Sequence, residues 1–188
     1  QEFTSQLLGK HNLANAIAAI SLAGHLGMPL ALQAQVLAQL KPAEGRLSVL
    51  NLGKLGWVLN DTYNASPGAV KAAIDVLAGF SGKKLLALGN LAELGEQTTA
   101  IHTELGQYAQ LKQLDAVFSL KGPAELASQA FLQANNNPTS AANFSAASPQ
   151  ALAQLLAKEL TPTSCLLVKG SRSARMELLI QQLVQLAE

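Results

Sequence analysis

The stretch 165-CLLVKGSRSARMELLI-180 decides the fold. Cys165 to Val168 is a short apolar run without polar alternation, which reads as a strand buried on both faces. Gly170 permits a tight turn, and the apolar spacing from Ala174 to Leu186 predicts a closing helix. Strand, glycine turn and helix in succession are the unit of a parallel sheet covered on both sides.

The same unit recurs upstream. Lys84 to Leu88 is an apolar strand ending in Gly89 and Asn90, and Ala116 to Leu120 is another; helices are predicted over Ile101 to Leu111 and Ala124 to Gln133. Ser66-Pro67 and Ser148-Pro149 each pair an N-cap hydroxyl with proline at the first helical position, so a helix should follow each. Asn135 to Ser140 reads as a polar loop. Leu47 to Leu50 and Trp57 to Leu59 are β-type runs joined by the glycine-bearing Asn51 to Gly56, which suggests a hairpin. The fold class expected is α/β, a doubly wound, mostly parallel sheet with helices on both faces.

The N-terminal region differs. Leu13, Ala16, Ile17, Ile20 and Ala23 mark one helix face, and Leu32, Val36, Leu37 and Leu40 a second. These two helices have no sheet of their own, and Lys41 to Gly45 reads as a linker. The expected division is therefore a helical piece, 1–41, and an α/β domain, 46–188. Because Gln1 runs almost at once into a helix, the chain is expected to be a piece of a longer polypeptide.

Composition narrows the partners. The 188 residues are 49% hydrophobic and 13% charged, against about 25% charged in an ordinary soluble domain, which excludes a highly charged disordered chain. Thirteen Lys and Arg against twelve Asp and Glu leave a net charge of +1 with no basic run, so a nucleic-acid footprint is absent. The single cysteine, Cys165, leaves no internal disulfide and no CxxC site, which fits a reducing compartment. No apolar stretch reaches the ~18 residues of a membrane span and no signal peptide opens the chain, so a cytoplasmic location is expected, with no membrane partner.

In a doubly wound sheet, ligands lie beyond the carboxyl ends of the strands. Three segments sit there: Asp61 to Ser66, Gly89 to Gly95, and Lys169 to Arg175. The last combines Lys169, Arg172 and Arg175 with helix-start amides and a Ser171 or Ser173 cap, which suggests an anion site; a solvated turn is the alternative. Asp61 to Pro67 offers an acid, a phenol and an amide to a ligand, and reads equally as a polar turn with a helix cap. Asn12 and Asn15 share one side of the first helix, where amides could read a ring edge or simply cap the helix. His25 and His102 have no acidic or cysteine partner at ligand spacing and are expected to be structural; no metal site is expected. Neither G-x-x-x-x-G-K-[ST] nor G-x-G-x-x-G occurs, which excludes an independent P-loop ATPase and disfavours a nicotinamide dehydrogenase.

Taken together, Gly9 to Ala19 (GKHNLANAIAA), Gly45-Arg46, Asn60 to Pro67 (NDTYNASP), Gly89 to Gly95 (GNLAELG) with His102, and Val168 to Ala174 (VKGSRSA) resemble the Mur ligase superfamily. They stand in family order and span nearly the whole chain. Asn90 occupies the place of an aspartate in the family pattern G-D-M-A-E-L-G.

The resemblance implies that residues 1–41 are the last helices of a central ATPase domain and that 46–188 are a Rossmann-like C-terminal domain. The rest of the central domain and an N-terminal domain would be partners lying outside this chain. It also implies ATP-driven amide formation with Mg2+, through an acyl phosphate. The A-E-L-G and K-G-S-R-S segments point to UDP-N-acetylmuramoyl-tripeptide and D-Ala-D-Ala as the substrates. By the same resemblance Asn12 and Asn15 meet the adenine, Asp61 the ribose hydroxyls and Arg46 the phosphates. Tyr63, Asn64, Lys169, Ser171 and Arg172 line the dipeptide side, and Arg46 and Lys169 are the catalytic candidates. A sister Mur ligase, a folylpolyglutamate synthetase-type ligase, and a non-catalytic ligand-binding domain are the rival readings.

Overall fold

The structure is a computed structural model that describes residues 2–135 and 144–188, so most of the loop expected over Asn135 to Ser140 lies outside the described residues. The chain divides into two compact units, Gln1–Ala43 and Glu44–Glu188.

The first unit holds α1 (Lys10–His25) and α2 (Leu30–Gln39), joined through Gly27 at φ 83°. Gln33 Nε2 donates to the Met28 carbonyl at 2.7 Å, and Gln6 Nε2 to that of Ala38 at 3.0 Å. Ala16 and Gln33 are buried, whereas Leu13, Ile17, Leu22, Leu26, Leu32 and Val36 are all exposed. The helices form where the apolar spacing puts them, and of the faces it defines Leu13, Ile17, Leu32, Val36 and Leu40 are exposed while Ile20, Ala23 and Leu37 are half-buried.

The second unit is a six-stranded sheet in the order β1-β2-β6-β3-β4-β5. Its strands are β1 (Ser48–Asn51), β2 (Trp57–Asp61), β3 (Lys84–Leu88), β4 (Ala116–Leu120), β5 (Ser145–Ala146) and β6 (Cys165–Lys169). Among the described residues only the edge pair β1–β2 is antiparallel, a hairpin turned by a 3-10 segment at Gly53–Leu55; the other pairings are parallel. Every residue of β4 and β6 is buried, because both sheet faces carry helices and period-2 alternation places successive side chains in different layers.

The covering helices are α3 (Pro67–Ala78), α4 (Thr98–Leu111), α5 (Glu125–Ala134), α6 (Pro149–Leu156) and α7 (Glu177–Ala187). Helices α6 and α7 pack on one layer with Val58, Leu85, Ala87, Phe118, Leu166 and Val168. On the other face, Leu59, Leu86, Leu88 and Leu167 are fully buried, with α3, α4 and α5 contributing Ile74, Leu77, Leu105 and Ala127.

Both serine-proline starts behave as the residues dictate. Ser66 Oγ accepts from Ala69 N at 3.3 Å, and Ser148 Oγ from Ala151 N at 3.2 Å. The closing helix departs from expectation. Arg172–Ala174 is a 3-10 turn, Arg175 is left-handed at φ 50°, and α7 begins only at Glu177 with no side-chain cap.

Candidate functional site

The ends of β2, β6 and β3 are neighbours in the sheet, so the three segments singled out in the sequence meet. They enclose a cleft of about 900 Å³ lined by 64–67, 92–94, 171–173, Arg175 and Glu177. Close approach of the loops depends on Gly89, where a Cβ would stand 2.7 Å from both the Ala174 Cβ and the Met176 Cγ. Asn90 ties two of the strand ends together. Its carbonyl accepts from Ser171 N at 3.1 Å and Ser171 Oγ at 2.5 Å, while its Oδ1 accepts from Ala124 N at 2.8 Å and its Nδ2 lies 3.4 Å from the Lys121 carbonyl. An amide can both donate and accept here, which a carboxylate cannot.

His102 is structural. It is fully buried in α4, accepts from Leu91 N at Nε2 (3.2 Å), and reaches the Thr98 carbonyl from Nδ1 at 2.7 Å, which fixes the Nδ1–H tautomer. These bonds fasten the loop after β3 to α4.

The turn after β6 divides its cations between a buried pair and the cleft. Lys169 is buried behind the Asp61–Asn64 turn: its side chain is 2% exposed and its Nζ donates to Asp61 Oδ2, with the Asn64 carbonyl at 3.0 Å and that of Asp61 at 3.5 Å. The register that pairs Asp61 with Lys169 brings the two charges together at adjacent strand ends. Ser171 and Ser173 bond each other at 3.0 Å and neither caps α7, whose positive end instead begins with Glu177. Arg172 and Arg175 do line the cleft, but so do Glu93 and Glu177, and Arg172 Nη1 lies 3.8 Å from Glu177 Oε1. The cleft therefore offers charge of both signs. Glu177 went unread because the helix was expected to start earlier; a glutamate in a first turn is the signal that marks it.

Beside the cleft, Arg46 lies with its guanidinium carbon 4.4 Å from the centre of the Tyr63 ring. Tyr63 and Asn64 are exposed, Asn64 Oδ1 accepting from Ala65 N at 2.8 Å. Asp61 Oδ1 accepts from Leu47 N at 3.2 Å. Asn12 and Asn15 lie on α1 of the first unit, Asn12 donating through Nδ2 to the Leu8 carbonyl at 2.8 Å and Asn15 exposed.

A mostly parallel sheet whose adjacent strand ends frame a mixed-charge cleft defines a doubly wound α/β domain, with the cleft where such folds hold ligands. The family model "Mur ligase, glutamate ligase domain" matches residues 45–172, and the chain belongs to that family. Over 185 residues it is 36% identical to the UDP-N-acetylmuramoyl-tripeptide–D-alanyl-D-alanine ligase of Haemophilus influenzae, covering 97% of this chain and 39% of that protein. The Escherichia coli ligase of the same name is 36% identical over 177 residues, covering 94% of this chain and 38% of that protein. Among solved structures, the MurF ligase of Thermotoga maritima in complex with ADP superposes with a TM-score of 0.81 at 28% identity, over 96% of this chain and 39% of the other. MurF of Acinetobacter baumannii gives 0.82 at 28% identity, over 97% and 39%. The chain thus spans about 39% of the length of these relatives.

Proposed function

We propose that this chain is the C-terminal part of an ATP-dependent ligase that joins D-Ala-D-Ala to UDP-N-acetylmuramoyl-tripeptide in the cytoplasm, for peptidoglycan precursor synthesis. The observation that carries this reading is the cleft with Arg172 and Arg175 against Glu93 and Glu177, which suits a small zwitterion such as a free dipeptide. The extent of the match to ligases of that name supports it.

In this reading the tripeptide carboxylate is activated as an acyl phosphate that the dipeptide amine attacks, and the protein's task is positioning and charge neutralisation. Arg46, exposed above Tyr63, supplies a cation to the phosphates; Asp61 accepts from the ribose hydroxyls with lone pairs left beside the Leu47 N–H; Asn12 and Asn15 face the adenine. Tyr63, Asn64, Ser171 and Arg172 form the dipeptide side. Mg2+ would be held chiefly by the nucleotide phosphates, which calls for no more than one or two protein carboxylates. Among the described residues no helix is long and apolar enough to cross a membrane.

Phosphate release by the complete ligase, measured with ATP, the UDP-linked tripeptide and candidate amines, tests the reading. D-Ala-D-Ala should be required, and Arg172→Ala should weaken its use by roughly 1.5–3 kcal/mol, the loss of a charge-assisted hydrogen bond, with Arg175→Ala affecting it less. Turnover with a single amino acid in place of the dipeptide would assign the chain to a sister ligase. The 188-residue chain alone should release no phosphate, since it contains no phosphate-cradling G-x-x-x-x-G-K-[ST] loop.

A further inference from the structure

Lys169 is the only buried Lys or Arg among the described residues, and its ammonium protons are directed at Asp61 Oδ2 and at the carbonyls of Asn64 and Asp61. That leaves the group without a proton or an exposed face for a ligand. What it grips, however, leads directly to Arg46. The Asp61 carboxylate uses its other oxygen on the N–H of Leu47, a residue 3% exposed and held left-handed at φ 53°, a conformation that an L-residue with a bulky side chain adopts only when its surroundings impose it. On the opposite side of Arg46, the Gly45 carbonyl accepts from Tyr63 N at 3.0 Å. The strap Gly45–Leu47 is thus pinned on each side of Arg46 to the turn that carries Tyr63, and Lys169 anchors that turn at Asp61 and at Asn64.

We propose that Lys169 is a positioning residue rather than a substrate contact: through Asp61 it holds the strained Leu47 and the Tyr63 turn, and so fixes Arg46 over the Tyr63 ring. The clamp itself follows from contacts within the Glu44–Glu188 unit. Its consequence for turnover rests on the reading of Arg46 as the phosphate-side cation. Severing Lys169 should loosen the strap while the sheet stays paired, because β6 keeps its backbone register on β2 and β3 without that side chain.

Residue-resolved amide exchange on the 188-residue chain tests the clamp. In Lys169→Met, Leu47 N–H and Tyr63 N–H should exchange faster by about tenfold or more relative to Leu86 and Leu167 in the central strands, the signature of local rather than global opening. Where that variant does not fold, Lys169→Gln, which keeps one N–H for Asp61, should give a smaller change of the same kind. Equal acceleration at all four amides, or none at Leu47 and Tyr63, would overturn the clamp whatever the enzyme does. In the complete ligase, Lys169→Met should raise the KM for ATP by about tenfold or more while the KM for D-Ala-D-Ala changes less than about twofold. A parallel rise in both would make Lys169 a contact of the dipeptide cleft and overturn its action through Arg46. If the wild-type ligase proves indifferent to D-Ala-D-Ala, the ligase reading fails while the exchange result still decides the clamp.

Discussion

Asp61 has two tasks to reconcile, since the resemblance gives it a ligand and the structure gives it Lys169. A buried ammonium whose partner is removed remains uncompensated, and breaking such a pair typically costs about 3–5 kcal/mol. Asp61→Asn should therefore lower stability by about that amount in urea unfolding, beyond any effect on nucleotide; a loss under about 1 kcal/mol would mean that Lys169 finds water. Cys165 makes a second, independent case. Burial at the start of β6 pushes its thiol up to about 12 from its ordinary 9.0, because the thiolate is poorly solvated there. The sign follows from proton counting: between about pH 9 and 12 the unfolded chain loses this proton while the folded chain keeps it, so stability falls as pH rises through that window. Cys165→Ala should flatten the slope of unfolding free energy against pH over that range. At neutral pH a thiol reagent should label Cys165 only as fast as the sheet opens.

At the scale of elements, legibility tracked how local the governing physics is. The Ser66-Pro67 and Ser148-Pro149 helix starts were readable because cap hydroxyl and proline act within four residues of each other. The start of α7 was not. Ala174 and Met176 pack against Gly89 and Gly170 across two strand ends, and that tertiary contact accompanies a 3-10 turn and a left-handed Arg175 where apolar spacing alone predicts continuous helix. β5 escaped notice because two residues carry no periodicity. The Asp61–Lys169 pair depends on strand register, which apolar runs leave unspecified, although each charge at the end of an apolar strand was visible. The α4–α5 contact offers a prediction of the same kind. Glycine within a helix is worse than alanine by about 0.8–1.0 kcal/mol, so propensity alone would favour Gly106→Ala. Its Cβ, however, would stand 2.1 Å from the Ala127 carbonyl oxygen, backbone of α5 that cannot turn aside. Gly106→Ala should thus destabilise by about 1–3 kcal/mol in thermal or urea unfolding, the range for overpacking a core. A stabilised variant would show that α5 shifts freely.

Across the whole chain, cohesion is unevenly distributed between the two units. The Glu44–Glu188 unit buries both faces of its sheet, from Val58 and Leu59 in β2 to Leu166 and Leu167 in β6. Among the described residues the Gln1–Ala43 unit has two helices, and those buried are Ala16 and Gln33, the latter with its Oε1 lacking a hydrogen-bond partner there. α2, at 10 residues, is below the length of about 12–15 at which isolated helices become more than marginal in water, and for both helices most stability comes from packing an apolar face. The faces of α1 and α2 are instead open, Leu13 at 59% and Leu26 at 76% exposure. Their composition, with no acidic residue in either first turn and no side-chain cap at either start, adds little local stabilisation. Amide exchange in this chain should accordingly be faster throughout Lys10–His25 and Leu30–Gln39 than in Lys84–Leu88 and Cys165–Lys169, and, on the proposed reading of the chain as part of a ligase, protection of the helices should rise in the complete enzyme. Adding a cap at α1 by Gly9→Ser, at φ 92° a position that glycine suits, should not recover that protection, because the deficit lies in packing rather than in the cap. Protection in the helices equal to that of the central strands, in a chain shown to be monomeric by sedimentation, would mean that these open faces find cover within the 188 residues after all.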